Sequence, residues 1–551
     1  MRGARILAET LEAAGVEYAF GLAGSAILGL LDEIERSDVE FVMTRHEQVA
    51  TTMATGYALA SRRPTVSIAH VGPGSANQVL GTAAAFRDNV PVIAISGNEP
   101  SHRLGMGVRH EWDVGGVFER FTKHHVRVTA DRPAEQLRDA VLRAVTGVPG
   151  PVHIDFPRDL EEAELPDPDE GALQELRDRD LRASTTRSRP SAEAVDRTVD
   201  LLGAAEQPLL LVGSDVRWAD GSAAVAAFAE AVSMPVGTTK AARGALPESH
   251  PLAIGPIGRP GMDPSNDYLR GADLVLAVGA RLSDLNTRNW ELIADDAAIV
   301  HATPRARELD RHYLADVSSP ADPASFLTDL TAAVQGRDLS FADRAAAARA
   351  AYEAARTQFL DPANEPVESG VDPRKLVAAV DRLAGDYAFT TGGGVHAHFP
   401  NRLPVEDLNG HFVTANFAGM SQGLGLGMGA QLALDVPVFV FEGDGGFAMV
   451  VQDLETAVRA DIPVKICVLN NGSFMSQRAR QRRYYGGRYT GTTFTNPDFA
   501  AVAREFGMFA RTLTDDDEIP DAVEALLDED GPGLLNLQVD PWLDTGDYDR
   551  D

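Results

Sequence analysis

The chain of 551 residues has a single cysteine, Cys467, and little lysine among its basic side chains. One thiol excludes an internal disulfide framework and a cysteine-based metal centre. Its place in the apolar run 464–469 marks it as a buried small hydrophobe. No run of 18 or more apolar residues is present, so no membrane-spanning helix is expected. From Met1 the sequence runs straight into an amphipathic pattern without an apolar signal core, so no cleaved leader is expected and the location expected is cytoplasmic. Basic charge is also in deficit: 81 acidic side chains face 50 basic ones, a net charge of −31. Such a field repels nucleic acid and anionic membranes, and neither is expected as a partner. The acids are dispersed along the chain, which reads as a solvated shell rather than an acidic docking surface. A phosphate-bearing ligand would need local help from a metal ion or from helix ends.

Apolar material is ample, at 44% of residues, enough for several cores. Two stretches read as linkers: 161–190, charged with little apolar periodicity, and 337–373, which ends PANEPVESGVDP and contains an Ala-rich helix expected at 345–359. They divide the chain into blocks 1–165, 190–336 and 370–545. In the first block, strands are expected at 40–44, 65–69 and 90–96, with helices at 48–61 and 75–88. In the second, strands are expected at 208–212, 274–278 and 298–301. In the third, strands at 436–441 and 464–469 flank a helix expected at 447–460. Short apolar strands alternating with helices predict the α/β class, with three doubly wound parallel-sheet domains.

The chemistry concentrates in 436–473, VPVFVFEGDGGFAMVVQDLETAVRADIPVKICVLNNGS. One apolar strand runs into Gly443-Asp444-Gly445-Gly446 and the next into Asn470-Asn471-Gly472. Ligands of open α/β sheets bind at the carboxyl ends of strands, so neighbouring parallel strands deliver Asp444 and Asn471 to one edge. A carboxylate, an amide oxygen and the backbone carbonyl of Ser473 form a hard oxygen set, suited to a magnesium ion that also binds phosphate and water. The glycines let backbone approach a phosphate. Each motif alone is commonly a turn; the pair at this spacing is specific. A second signature is Arg45-His46-Glu47-Gln48 at a helix start, where Glu47 alone reads as a first-turn acid complementing the helix dipole.

Together these motifs resemble the thiamine-diphosphate-dependent superfamily of acetolactate synthases, pyruvate decarboxylases and benzoylformate decarboxylases. The family continuation is present too: Glu455-Thr456-Ala457, Arg459, Pro463, Gly487-Arg488-Tyr489 and Asn496-Pro497-Asp498-Phe499. The resemblance covers nearly the whole chain and is nearest in pattern to acetolactate synthase large subunits. It implies an N-terminal pyrimidine-binding domain, a central Rossmann-like domain and a C-terminal diphosphate-binding domain, with thiamine diphosphate and Mg2+ as cofactors. It implies that Asp444, Asn471 and Ser473 hold the metal, and that Gly443, Gly445, Gly446, Gly394 and His396 lie along the diphosphate. Of the family's Asp-Val-Gly-Gln-His turn, only Gly394 and His396 match. Ala418 would accept the aminopyrimidine amine, and Met420 would either wedge under the cofactor or be a core methionine. Gly72 and Asn77 would lie near the thiazolium. On the substrate side lie Gly24 and Ser25, the latter either a carboxylate binder or a helix cap. Glu47 would hydrogen-bond the pyrimidine ring and so promote the ylid. Because the family draws this glutamate and the metal site from different subunits, self-association with the active site at the interface is implied.

The implied substrate is a small 2-oxo acid. The reaction expected is that of an acetolactate synthase-like carboligase: ylid attack, loss of carbon dioxide and transfer of the enamine to a second carbonyl compound. The alternative is a non-oxidative decarboxylase that protonates the enamine and releases an aldehyde. His70 and His110 lean that way, since a near-neutral imidazole moves protons, and His110 stands where acetolactate synthases carry glutamine. A catalytically silent regulatory subunit is a further alternative, disfavoured by the presence of Glu47 and Asp444. Acetolactate synthases hold FAD in the central domain. Here Gly279-Ala280-Arg281 follows a strand without a Gly-x-Gly-x-x-Gly fingerprint, so the sequence gives flavin no support.

Overall fold

The computed structural model describes residues 1–168, 170–182, 187–361, 367 and 369–542. They form three six-stranded parallel sheets, as the α/β reading anticipates. The first contains β1 (Tyr18–Gly21), β2 (Glu40–Met43), β3 (Thr65–Ala69), β4 (Val92–Asn98), β5 (His124–Arg127) and β6 (Val152–Pro157), in the order β2-β1-β3-β4-β6-β5. The second contains β7 (Pro208–Val212), β8 (Val236–Thr238), β9 (Ala253–Pro256), β10 (Leu274–Val278), β11 (Ala298–Ala302) and β12 (Val317–Ser319), in the order β12-β11-β10-β7-β8-β9. The third contains β13 (Ala388–Thr391), β14 (His411–Phe412), β15 (Val438–Gly443), β16 (Lys465–Asn470), β17 (Phe509–Leu513) and β18 (Gly533–Gln538), in the order β14-β13-β15-β16-β18-β17. Central strands such as β3, β7 and β10 are buried along their whole length. Helices cover both faces, which is why β7 and β10 are continuous apolar runs rather than alternating ones, while β3, TVSIA, also buries the hydroxyls of Thr65 and Ser67. Packing groups the first and third sheets into one compact unit and the middle sheet into another.

In each outer sheet the strand order reverses beside its first strand, between β1 and β3 and between β13 and β15. Such reversals open a crevice at the carboxyl edge, where ligands of these folds bind. The helix Glu47–Ser61 packs on the helix Gly423–Gln431 at very close range. A Cβ on Gly56 would collide with the carbonyl of Leu426, one on Gly425 with the Thr52 hydroxyl, and one on Gly429 with the carbonyl of Met53. The glycine-rich sequence GLGLGMGAQ is therefore what lets two backbones approach.

Three expectations change. The stretch 161–190 is more than a linker: it carries the helix Glu170–Asp178, and Leu173, Leu176 and Leu181 join the N-terminal core. In the stretch 337–373 the Ala-rich helix expected at 345–359 is present as the 19-residue helix Ala342–Leu360; what changes is that it buries Ala345, Ala348 and Tyr352, so the stretch is more than a linker. Residues 169, 183–186, 362–366 and 368 of these stretches, and 543–545 of the third block, lie outside the described residues. The single helix expected at 447–460 is broken into Asp444–Phe447, a 3-10 turn Val451–Asp453 and Leu454–Arg459. The break has a tertiary cause. Asp453 is fully buried and accepts hydrogen bonds from the Arg45 amide at 2.8 Å and the Thr456 hydroxyl at 2.9 Å, so its side chain is drawn inward by these partners without capping a backbone amide, and the helix Leu454–Arg459 begins after it.

Candidate active site

The segments that follow β1, β2, β3 and β4 carry the N-terminal candidates. Glu47 opens its helix, is 6% exposed, and accepts a hydrogen bond from Asn77 Nδ2 at Oε2, 2.9 Å away. Its other oxygen lies in space that a Cβ on Gly74 would crowd. His70 follows β3; its Nδ1 accepts from the Ala26 amide at 3.3 Å, and its ring lies against Gly24. The His70 and His110 rings meet edge to face, 5.5 Å between centroids. His110 has a left-handed backbone, φ 72°, unusual for a residue with a side chain. Gly72, also left-handed at φ 67°, makes room for it, since a Cβ there would stand 2.6 Å from the His110 carbonyl. Burial lowers the His70 pKa and the neighbouring His110 adds to the effect, both favouring the neutral imidazole. Ser25 is exposed and does not cap the helix Leu28–Ile34. The Gly29 amide of that helix is instead taken by Glu161 Oε2 at 3.3 Å.

The C-terminal candidates surround a cavity of ≈ 380 Å³ at the carboxyl edge of the third sheet. Gly394, His396, Ala418, Met420, Gly443, Asp444, Gly445, Gly446, Asn471 and Ser473 all line it. The register Gly443↔Leu469 in the β15–β16 ladder places the two motif loops side by side. Asp444 Oδ2 accepts from the amides of Asn471 (3.1 Å) and Gly472 (2.6 Å) and from Asn496 Nδ2 (2.8 Å), while Oδ1 accepts from the Gly445 amide (2.8 Å). Burial raises the Asp444 pKa, and these donors pull the other way. Asn471 Oδ1 receives the Ser473 amide at 3.1 Å. Met420 is half-buried in the cavity wall, so it is not a core methionine. Ala418 and Ser421 both have left-handed backbone, φ 50° and 67°, and strain of this kind concentrates at ligand sites.

The donor set suits a hard cation. Asp444 Oδ1, with one donor, has a lone pair to spare, and the Asn471 amide oxygen and the backbone supply further oxygens. Among the described residues no cluster of three His, Cys, Asp or Glu side chains is placed to hold a metal, so the amide and carbonyl oxygens matter here. The turn 392–394 approaches the cavity closely: a Cβ on Gly393 would stand 2.8 Å from the Ala418 carbonyl.

Two participants escaped the sequence reading. Asn496, noted only as part of a motif, ties Asp444 to Asn470 Oδ1, 2.9 Å from its amide. Glu442 is fully buried directly before Gly443; its Oε1 accepts from the Gly423 amide at 2.7 Å, and its Oε2 lies 3.9 Å from His396 Nε2. Burial pushes its carboxyl up to about 8. An acid closing an otherwise apolar strand was the available signal. Glu47, Asn77, His70, His110, Gly72, Gly24 and Ser25 are not among the described residues lining this cavity. The two clusters therefore do not share this cavity within the one chain.

Comparison with known proteins gives matches along the chain. Residues 1–117 match the thiamine pyrophosphate enzyme N-terminal TPP-binding domain, 195–330 the central domain and 392–537 the C-terminal TPP-binding domain. The chain is 31% identical to a probable acetolactate synthase large subunit of Methanocaldococcus jannaschii, over 98% of this chain and 92% of that protein. It is 31% identical to the acetolactate synthase isozyme 2 large subunit of Escherichia coli, over 98% and 96%. It is also 31% identical to the acetolactate synthase large subunit of Corynebacterium glutamicum, over 100% and 90%.

Proposed function

Because the chain belongs to the thiamine pyrophosphate enzyme family, as a homologue of acetolactate synthase large subunits, we propose that it is a magnesium-dependent carboligase that decarboxylates a small 2-oxo acid and joins the remaining acyl unit to a second carbonyl compound. The observation that carries this reading is the meeting of Asp444 with the Asn471–Ser473 loop at one cavity. In it, Asp444, Asn471 and the Ser473 carbonyl hold Mg2+, with Asn496 fixing the Asp444 carboxylate. The backbone of Gly394 and Gly443–Gly446 and the side chain of His396 seat the diphosphate. Ala418 accepts the aminopyrimidine amine, and Met420 supports the ring system. Bound there, thiamine diphosphate supplies a carbon nucleophile and an electron sink. Glu47 holds a proton at the pyrimidine nitrogen, and Asn77 orients the carboxylate through Oε2. Gly24, Ser25 and Gly72 border the substrate.

Glu47 and the metal loop occupy different half-sites, which supports self-association, one subunit completing the other's site. The single buried thiol, Cys467, suits a cytoplasmic location. The His70–His110 pair supports a second reading, in which these imidazoles deliver a proton and the product is an aldehyde. Two measurements decide. Titration with thiamine diphosphate and Mg2+, followed by circular dichroism, is expected to give a saturable cofactor signal. Product analysis with pyruvate is then expected to give acetolactate. Acetaldehyde alone, or benzaldehyde from benzoylformate, would replace the first reading by the second, and absence of a cofactor signal would remove both.

A further inference from the structure

The second sheet reverses its strand order between β7 and β10. In folds of this kind the reversal opens the crevice in which a dinucleotide lies, its pyrophosphate on the helix that follows the first strand. The likeness to acetolactate synthases raises FAD as an occupant of this domain, and FAD carries such a pyrophosphate. The residues at this edge decide whether it fits.

They do not fit it. The glycines of a dinucleotide fingerprint would stand at 213, 215 and 218, the second of them letting backbone approach the phosphates. The chain has Gly213, Asp215 and Trp218, and the last two are each 4% exposed. Asp215 opens the four-residue helix Asp215–Trp218, so a carboxylate stands where the pyrophosphate would need room. Its Oδ2 lies 2.9 Å from Arg305 Nη2 and accepts from the Thr303 hydroxyl at 2.9 Å. Thr303 and Arg305 follow β11, and Thr303 Oγ1 in turn accepts from the Arg305 amide at 3.2 Å. Arg305 Nη2 also reaches the Gly279 carbonyl at 3.4 Å, on the turn after β10. Buried side chains thereby join the ends of β7, β10 and β11. The backbones close the same gap: the Gly213 amide donates to the Val278 carbonyl at 2.9 Å, and a Cβ on Gly213 would collide with the Gly279 carbonyl and the Ala280 Cα. Arg281, the next side chain along, is 4.0 Å from Glu308, which also takes Arg311 at 3.2 Å. The ribose meets no carboxylate either. That role falls to an acid at the end of the second strand, roughly 20 residues beyond the fingerprint, whereas β8 runs into Thr238-Thr239-Lys240.

We propose that the central domain takes no flavin: Asp215, Thr303 and Arg305 form an internal ion-pair network on the edge where the pyrophosphate of FAD would lie. A pyrophosphate brought there would meet a buried carboxylate of its own sign. It would also have to draw Arg305 away, leaving Asp215 charged and unpaired out of water. The network joins the three strand ends by itself, so the fold of this domain does not draw on a flavin. The inference goes beyond the carboligase reading and does not rest on it, because flavin binding is measured without turnover.

The test titrates the full chain, loaded with thiamine diphosphate and Mg2+, with FAD, followed by flavin fluorescence anisotropy and by melting temperature. With FAD at about 0.1 mM, no saturable signal and a melting temperature unchanged within about 1 °C are expected. Stoichiometric, saturable binding or a rise of several degrees overturns the proposal. Arg305→Met tests the network itself. It leaves Asp215 buried without its counter-charge, and the melting temperature is expected to fall by at least about 5 °C. Asp215→Asn/Arg305→Met removes both charges and is expected to recover about half of that fall or more. An Arg305→Met variant as stable as the wild type, or a double variant that loses the sum of the Arg305→Met and Asp215→Asn falls, overturns the network. The flavin titration uses the wild type alone, so it decides even where a variant fails to fold.

Discussion

At the scale of single residues, the site depends on how few acceptors serve many donors. Asp444 takes four hydrogen bonds while 2% exposed. In Asp444→Asn one oxygen becomes an NH2 group facing either the Asn471 and Gly472 amides or the Gly445 amide and the proposed metal. Either orientation leaves buried donors unpaired, at about 1–3 kcal/mol each. Affinity for thiamine diphosphate with Mg2+ is expected to fall at least about a hundredfold, measured by dichroism titration. Asn77→Ala acts on the Glu47 cluster. It removes the Oε2 donor of Glu47 and is expected to lower kcat about tenfold while cofactor affinity changes little. Glu161 gives a residue-scale pH effect away from the chemistry. Burial pushes its carboxyl up to about 7, against an ordinary value of 4.5, although the Gly29 and Leu30 amides oppose the shift. The folded chain therefore keeps a proton that the unfolded chain loses. This contribution to stability is full below about pH 4.5, falls as pH rises to about 7, and is level above. Glu161→Gln is expected to flatten that segment of the profile, by at most about 3 kcal/mol, in denaturation midpoints at about pH 5 and about pH 8.

At the scale of elements, the helix pair Glu47–Ser61 and Gly423–Gln431 sets the tightest requirement. Gly429→Ala would push a methyl into the Met53 carbonyl and to 2.8 Å from the Tyr57 amide. Backbone cannot give way as a flexible side chain does, so a clear drop in melting temperature is expected, with a cost of about 1–3 kcal/mol or more. Gly203→Ala is the contrast. Gly203 lies in the helix Ala192–Ala204 with nothing within 4 Å of an added Cβ, and the change is expected to stabilise by about 0.4–1 kcal/mol. Elements were legible in the sequence where burial on both sheet faces makes a strand one apolar run: 208–212 and 274–278 coincide with β7 and β10. They were not legible where a distant partner decides. Nothing local says that Asp453 will turn inward to meet Arg45, 408 positions away, and so break the helix expected at 447–460. The helix Glu170–Asp178 was obscured because its charged side chains outnumber Leu173 and Leu176, although those two fix its packing. The meeting of the Asp444 and Asn471 loops was legible because two short motifs fall on adjacent strands. Asn496 was not, because its role exists only once its loop folds back over Asp444.

At the scale of the whole molecule, the question is which chain completes which cavity. The residues lining the cavity at Asp444 all fall between Gly393 and Val539, while Glu47 sits with Asn77, 2.9 Å away, outside that lining. If two copies associate with each glutamate facing the other's metal loop, a chain with either half damaged can still lend its intact half. Glu47→Gln and Asp444→Asn, each purified alone, are expected to be nearly inactive. Mixed and reassociated in equal amounts as dimers, half the assemblies are hybrids, and each hybrid has one intact and one doubly damaged site. Activity should therefore return to about a quarter of that of the wild type. If each chain instead folded its own glutamate against its own metal loop, no combination would contain an intact site and the mixture would stay as inactive as its parts. The recovered activity should also rise with protein concentration through the dissociation constant of the dimer, which sedimentation measures independently. Agreement of the two curves would tie catalysis to the assembly rather than to the single chain.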